Sequence, residues 1–148
     1  MEKHNVNNIV FFILMIVFFG SCNVQPETIH YGEDNCHYCR MTIVDKIHGA
    51  EIVTKKGKVF KFDAVECMVN YSAEIDKEEV SLYLSNHYDA PEELIDATQA
   101  TFLISKNISS PMGAFLTSFE NESSAKKVKS EKGGDVFTWE ELLKHLKH

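Results

Sequence analysis

Residues 50–62 read Ala50-Glu51-Ile52-Val53-Thr54-Lys55-Lys56-Gly57-Lys58-Val59-Phe60-Lys61-Phe62. Ala50 to Thr54 suits a strand. Lys55 to Lys58 is a turn containing glycine, and Val59 to Phe62 alternates apolar and polar as a returning strand does. Asp63 follows at once, and its side chain can accept a first-turn N–H as the cap of a helix running to about Ile75. Val80-Ser81-Leu82-Tyr83-Leu84 is a third strand. The order is ββαβ, over about residues 50–85.

Downstream the same order returns. Thr101 to Ser105 is a strand. Past a loop with Ser109-Ser110-Pro111, Gly113 to Phe119 reads as another, with Met112 at its start. Glu120-Asn121 precedes a helix at about 122–131, Gly133-Gly134 stops it, and Asp135-Val136-Phe137 is a strand again. Phe62-Asp63 and Phe119-Glu120-Asn121 occupy the same point in each unit. The pattern predicts a degenerate internal duplication, the second unit spanning about 101–138. Between the units, Asp89-Ala90-Pro91-Glu92-Glu93-Leu94 carries the cap, proline and acidic signals of a short helix. Thr138-Trp139-Glu140-Glu141 is a capping box for a last helix reaching about Lys147. The fold class expected is α+β.

The N-terminus has a different character. After a short polar start, Ile9 to Phe19 is unbroken apolar sequence. As a helix that run spans only ~16 Å, against a bilayer core of ~30 Å. It fits the apolar part of a secretory signal. Phe19-Gly20-Ser21-Cys22 resembles the lipobox of bacterial lipoproteins, with Phe19 where leucine is usual. The resemblance implies removal of residues 1–21, lipidation of Cys22, a polar tether over residues 22–34 and a domain over 35–148 held in the periplasm at the cell envelope. That length is enough for one domain with a real core.

The chain has 148 residues and a formal charge of −7. No basic surface is concentrated enough for nucleic acid. Lys126-Lys127-Val128-Lys129, with Glu122, Glu131 and Asp135 nearby, reads as a solvated helix face. No nucleophile motif of a hydrolase is present, and the chain is expected not to be an enzyme.

Chemistry concentrates in Asn35-Cys36-His37-Tyr38-Cys39-Arg40-Met41. With Cys22 assigned to lipid, Cys36, Cys39 and Cys67 remain, and an odd count leaves at least one thiol outside any internal disulfide. Cys36 and Cys39 have the spacing that lets two sulfurs converge on one ion. Met41 adds a thioether, and thiolate with thioether is a soft set that selects Cu(I). Met112 is a further thioether, although methionine at a strand start more often fills a core. Cys67 reads as a small buried residue on the core face of its helix. His37 is a secondary candidate, Asp63 a helix cap, and Tyr83 and Trp139 packing residues. The other histidines, His48 and His87 among them, lack partner spacing.

Taken in order, Cys36-x-x-Cys39-x-Met41, Phe62-Asp63 leading to Cys67-Met68, and Pro111-Met112-Gly113 resemble the NosL family. These are copper-binding lipoprotein accessory proteins associated with nitrous oxide reductase. The resemblance runs from Cys22 to about Asn121. It implies two ββαβ units, distantly like the repeats of organomercurial lyase, and delivery of Cu(I) to the reductase or another copper-accepting protein. It further implies a metal site drawn from Cys36, Cys39, Met41 and Met112. Two other functions fit the bare residues. One is a thiol–disulfide oxidoreductase using Cys36 and Cys39, which would place the first cysteine at a helix N-terminus. The other is structural zinc, which needs four ligands; Cys67 and a histidine would have to complete the pair.

Overall fold

The computed structural model describes residues 23–146. The signal segment 1–21, the lipidation site Cys22 and the end of the last helix at Lys147 lie outside the described residues. Among those described, no helix is long and apolar enough to cross a membrane.

The first sheet has four antiparallel strands: β1 (Ala50–Thr54), β2 (Val59–Phe62), β3 (Val80–Asn86) and β4 (Leu94–Asp96), in the order β2-β1-β3-β4. The second has β5 (Thr101–Ile104), β6 (Leu116–Phe119) and β7 (Asp135–Thr138), in the order β6-β5-β7. Helix α1 (Val65–Tyr71) joins β2 to β3, and α2 (Glu122–Lys132) joins β6 to β7. Both segments therefore run ββαβ with the first strand in the middle. A central strand is covered on both faces, and all five residues of β1 are buried, Glu51 and Thr54 included. β2 lies at an edge and keeps the alternation its sequence shows, with Phe60 and Phe62 inward.

The apolar side chains form two clusters. The larger lies around Ile52, Phe62, Met68, Phe102, Leu116 and Leu142; the smaller gathers Leu103, Ile108, Phe119, Ala125 and Val128 under α2. Helix α3 (Trp139–His145) ties the two sheets together, because Trp139 packs on Tyr83 of β3 and Phe102 of β5 with ring centroids 5.5 and 5.9 Å apart. Its capping box forms, Thr138 accepting from the Glu141 amide while the Glu141 carboxylate accepts from the Thr138 amide. A buried polar tie adds to this. His48 lies 2.9 Å from the Asp45 carboxylate and 3.1 Å from the Thr117 hydroxyl of β6.

Four expectations need correction. Residues 89–94 form turns and the start of β4, not a helix. The Glu92 amide bonds to the Lys46 carbonyl and Asn86 Nδ2 to the Glu93 carbonyl, so this segment is recruited to the open edge of β3. Helix α1 ends at Tyr71, four residues early, where the Ser72 hydroxyl turns back onto the Val69 carbonyl. Its cap position is Ala64, with no side-chain cap, so Asp63 is not a helix cap. β6 begins at Leu116, which leaves Met112 in a turn rather than at a strand start.

The segment read as a tether lies against the sheet. The Glu27 amide reaches the Glu51 carboxylate at 3.3 Å, and Lys61 Nζ reaches the Thr28 carbonyl at 2.7 Å.

Candidate metal centre

The sequence around Cys36 folds into a tight hairpin docked on the edge of β2. Asn35 and Thr42 pair across its base, the Cys36 amide bonds to the Met41 carbonyl at 2.8 Å, and the Arg40 amide to the Cys36 carbonyl at 3.0 Å. Closing so tight a loop puts Arg40 at φ +68°, a left-handed conformation that costs a non-glycine residue about 1 kcal/mol or more. The His37 amide then bonds to the Lys61 carbonyl at 2.8 Å, fixing the hairpin to the strand that leads into Asp63 and α1.

That docking assembles a cluster the sequence had scattered over thirty residues. One ligand atom from each of Cys36, Cys39, Asp63 and Cys67 lies within 4.8 Å of every other. Cys36, Asp63 and Cys67 are buried, while Cys39 is partly exposed. All three thiols are free. The Cys39 thiol donates to Asp63 Oδ1 at 3.4 Å, whereas the buried Asp63 Oδ2 has no hydrogen-bond partner. A buried carboxylate oxygen without a donor is costly, and a bound cation removes that cost.

The electrostatics favour one thiolate. The Cys67 thiol donates to Cys36, and the amides of Asp63, Cys39 and Tyr38 point at the same sulfur; together they overcome burial and pull Cys36 down to about 6. Cys39 is pushed up to about 11, first by burial and then by the neighbouring Cys36 and Asp63. Cys67 is pushed up strongly, first by its bond to Cys36 and then by burial. An amide-lined sulfur with two protonated thiols beside it is a nucleus onto which a cation can be exchanged for protons.

Of the residues expected from sequence, Cys36 and Cys39 are brought together. Met41 and Met112 are 51% and 39% exposed. Met41 is on the hairpin. Met112 is in the turn closed by the Gly113 amide on the Ser110 carbonyl, and Ser110 Oγ holds Glu66 Oε1 at 3.3 Å. Glu66 immediately precedes Cys67, so the turn bearing Met112 is tied to the first turn of α1. The exposed large hydrophobic residues among those described are Tyr38, Met41, Val44 and Met112. Two of these, Tyr38 and Met41, are on the cysteine hairpin.

His37 does not join the cluster. Its ring packs on Phe60 and Tyr71, with centroids 4.7 and 4.9 Å away, and burial followed by Arg40 and Lys58 lowers its proton affinity. Two residues take on a larger part than their sequence suggested. Cys67 is buried as expected, but it faces two other thiols. Asp63 serves the cysteines instead of the helix. The signal for both was the placement of Asp63 and Cys67 four residues apart where a helix begins, a spacing that puts two side chains on one face. The hairpin also settles the context of the cysteine pair: it lies in a loop on a strand edge, not at a helix N-terminus.

The chain is 29% identical over 128 residues to the copper-binding lipoprotein NosL of Stutzerimonas stutzeri, covering 81% of this chain and 67% of that protein. Its fold is that of the crystal structure of the copper chaperone NosL from Shewanella denitrificans. The TM-score is 0.68 at 22% identity, over 80% of this chain and 96% of the other. The family model for NosL matches residues 28–146, which takes in the cysteine hairpin, both sheets and the last helix, and the chain belongs to the NosL family.

Proposed function

We propose that this protein is a Cu(I) carrier, held at a membrane through a lipidated Cys22 with its domain outside the cytoplasm. Its cargo is exchanged at the Cys36–Cys39–Asp63–Cys67 cluster. The observation that carries this reading is the convergence of three free thiols on one point beside an unpartnered carboxylate oxygen. Metal–thiolate bonds are ~2.3 Å, so two sulfurs on one ion lie no more than ~4.6 Å apart. A cluster confined to 4.8 Å therefore needs little movement to close on an ion. Soft sulfur donors select Cu(I).

Delivery would proceed by ligand exchange, without catalysis. Cys36 and Cys67 are fully buried and hold their place; Cys39 is the accessible sulfur and the one to yield first to an incoming ligand. Met41 and Met112 are exposed thioethers, suited to catching an ion before the thiols lose their protons. The acceptor we favour is nitrous oxide reductase, by analogy with the family. A membrane anchor would raise the effective concentration of carrier at that acceptor.

The test is an anaerobic titration of the reduced full chain with Cu(I) against a calibrated chelator, alongside Cys36→Ser/Cys39→Ser. Tight one-to-one binding that collapses in the double variant supports the carrier. Binding no better than background refutes it.

One observation favours a second reading, structural zinc. Asp63 and Cys67 complete a set of four donors, one of them hard, where the sequence offered only a pair. Removing metal with a chelator separates the two, since a structural zinc site would lose its fold with its zinc whereas a copper carrier stays folded metal-free.

A further inference from the structure

The first described residue of the chain ends on the turn between β1 and β2. A Cβ built on Gly57 would lie 2.8 Å from the Asn23 carbonyl oxygen, so the Asn23 backbone is packed directly on that turn. Gly57 also has φ +79°, which only glycine adopts freely. The turn accepts the incoming chain because this position has no side chain.

The residues around Gly57 are Lys55, Lys56 and Lys58, all exposed, on a chain of net charge −7. Lys56 lies 3.5 Å from Glu79, but among the described residues Lys55 and Lys58 make no ion pair. Lys58 instead lies over the Phe60 ring, 4.5 Å from its centroid. Glu78 and Glu79 flank the groove beside them. Cys22 immediately precedes Asn23 in the sequence.

We infer that the Lys55–Lys58 turn is the surface of this domain that rests on anionic lipid headgroups. The inference rests on the lipid anchor proposed at Cys22. Acyl chains attached there would enter the bilayer beside three lysines, and a lipid anchor combined with a basic patch is a recognised two-part membrane signal. The geometry has a further consequence. Lys58 and Asp63 are separated by the length of β2, about 17 Å at strand rise. With the turn on the membrane, the cysteine cluster stands clear of the lipid at the far end of the strand, open to a soluble partner.

The experiment uses the full lipoprotein reconstituted into vesicles of phosphatidylcholine alone or mixed with phosphatidylglycerol. Flotation of wild type and Cys22→Ala comes first. If the wild type does not float, or Cys22→Ala floats as well, the anchor is wrong and this inference falls with it. Lysine acetylation by a membrane-impermeant reagent is then read by mass spectrometry. The expected result is protection of Lys55 and Lys58 on the order of fivefold with phosphatidylglycerol. It should be absent on phosphatidylcholine, abolished by high salt, and not shared by Lys126 and Lys127. The variant Lys55→Glu/Lys58→Glu should still float yet expose Lys56 equally on both vesicles. A protein that floats with its turn lysines labelled alike on both vesicles overturns the orientation while leaving the anchor standing. Equal protection on both overturns it too, because something other than anionic lipid would then cover the turn.

Discussion

Replacing Cys67 with alanine separates a buried filler from a ligand. The residue is fully buried on α1, so the change deletes one sulfur from the core at a cost of about 1 kcal/mol, the scale for a buried methylene-sized group. Alanine is the better helix former by up to ~0.6 kcal/mol, which returns part of that cost. The fold should therefore survive, with a small drop in denaturation midpoint and unchanged circular dichroism. Copper binding should not survive. Loss of an outer partner of a metal ligand already costs ~10–100-fold in affinity, so loss of a ligand should cost at least ~100-fold, or about 2.7 kcal/mol. The assay is the anaerobic chelator competition on the full chain, read against wild type. Cys67→Ala with wild-type Cu(I) affinity would refute the reasoning. The metal would then belong to the hairpin and the exposed methionines, and the buried thiol would be packing after all.

Other outcomes follow from the same geometry. Cys36 sits at about 6, so ultraviolet absorbance of the metal-free protein should show one thiolate appearing near that pH, shifted upward in Cys67→Ala because its main donor is gone. Burial holds Glu51 at about 7. The folded state then keeps a proton that the unfolded state releases near its ordinary 4.5, so stability falls as pH rises from there to about 7. Glu51→Gln should flatten that fall and be more stable above pH 7 by up to roughly 3 kcal/mol, checked by denaturation across pH. Met41→Ala and Met112→Ala, both at exposed sites, should slow copper uptake from a donor chelator in stopped flow more than they weaken equilibrium binding. Thr138→Ala should cost about 1 kcal/mol in thermal or denaturant unfolding through loss of the capping box.

The strands were legible where local pattern and burial agree. Ala50–Thr54 and Val59–Phe62 appear within the residues their alternation marked, and the α2 helix starts on Asn121, which caps it by accepting from the Ser124 amide. β4 was not legible, because Pro91 and the acids after it are equally good signals for a helix. The choice was made by the vacant edge of β3, which no local pattern encodes. The candidate site divides the same way. Spacing alone marked Cys36 and Cys39. What Cys67 faces depends on the bond from the His37 amide to the Lys61 carbonyl, which brings a distant loop over α1. A buried cysteine looks the same in sequence whether it meets leucine or another thiol.

The hairpin's position on β2 bears on solubility. β2 is an edge strand, and an edge offers unpaired amides and carbonyls to any passing chain. The hairpin spends its His37 amide on the Lys61 carbonyl and so stands guard over part of that edge. Whatever loosens it, whether oxidation of its thiols or substitution of Arg40, uncovers a strand bordered by Phe60 and Phe62. Such variants should self-associate while their spectra still look native, and copper, by closing the hairpin onto α1, should protect the protein from aggregating.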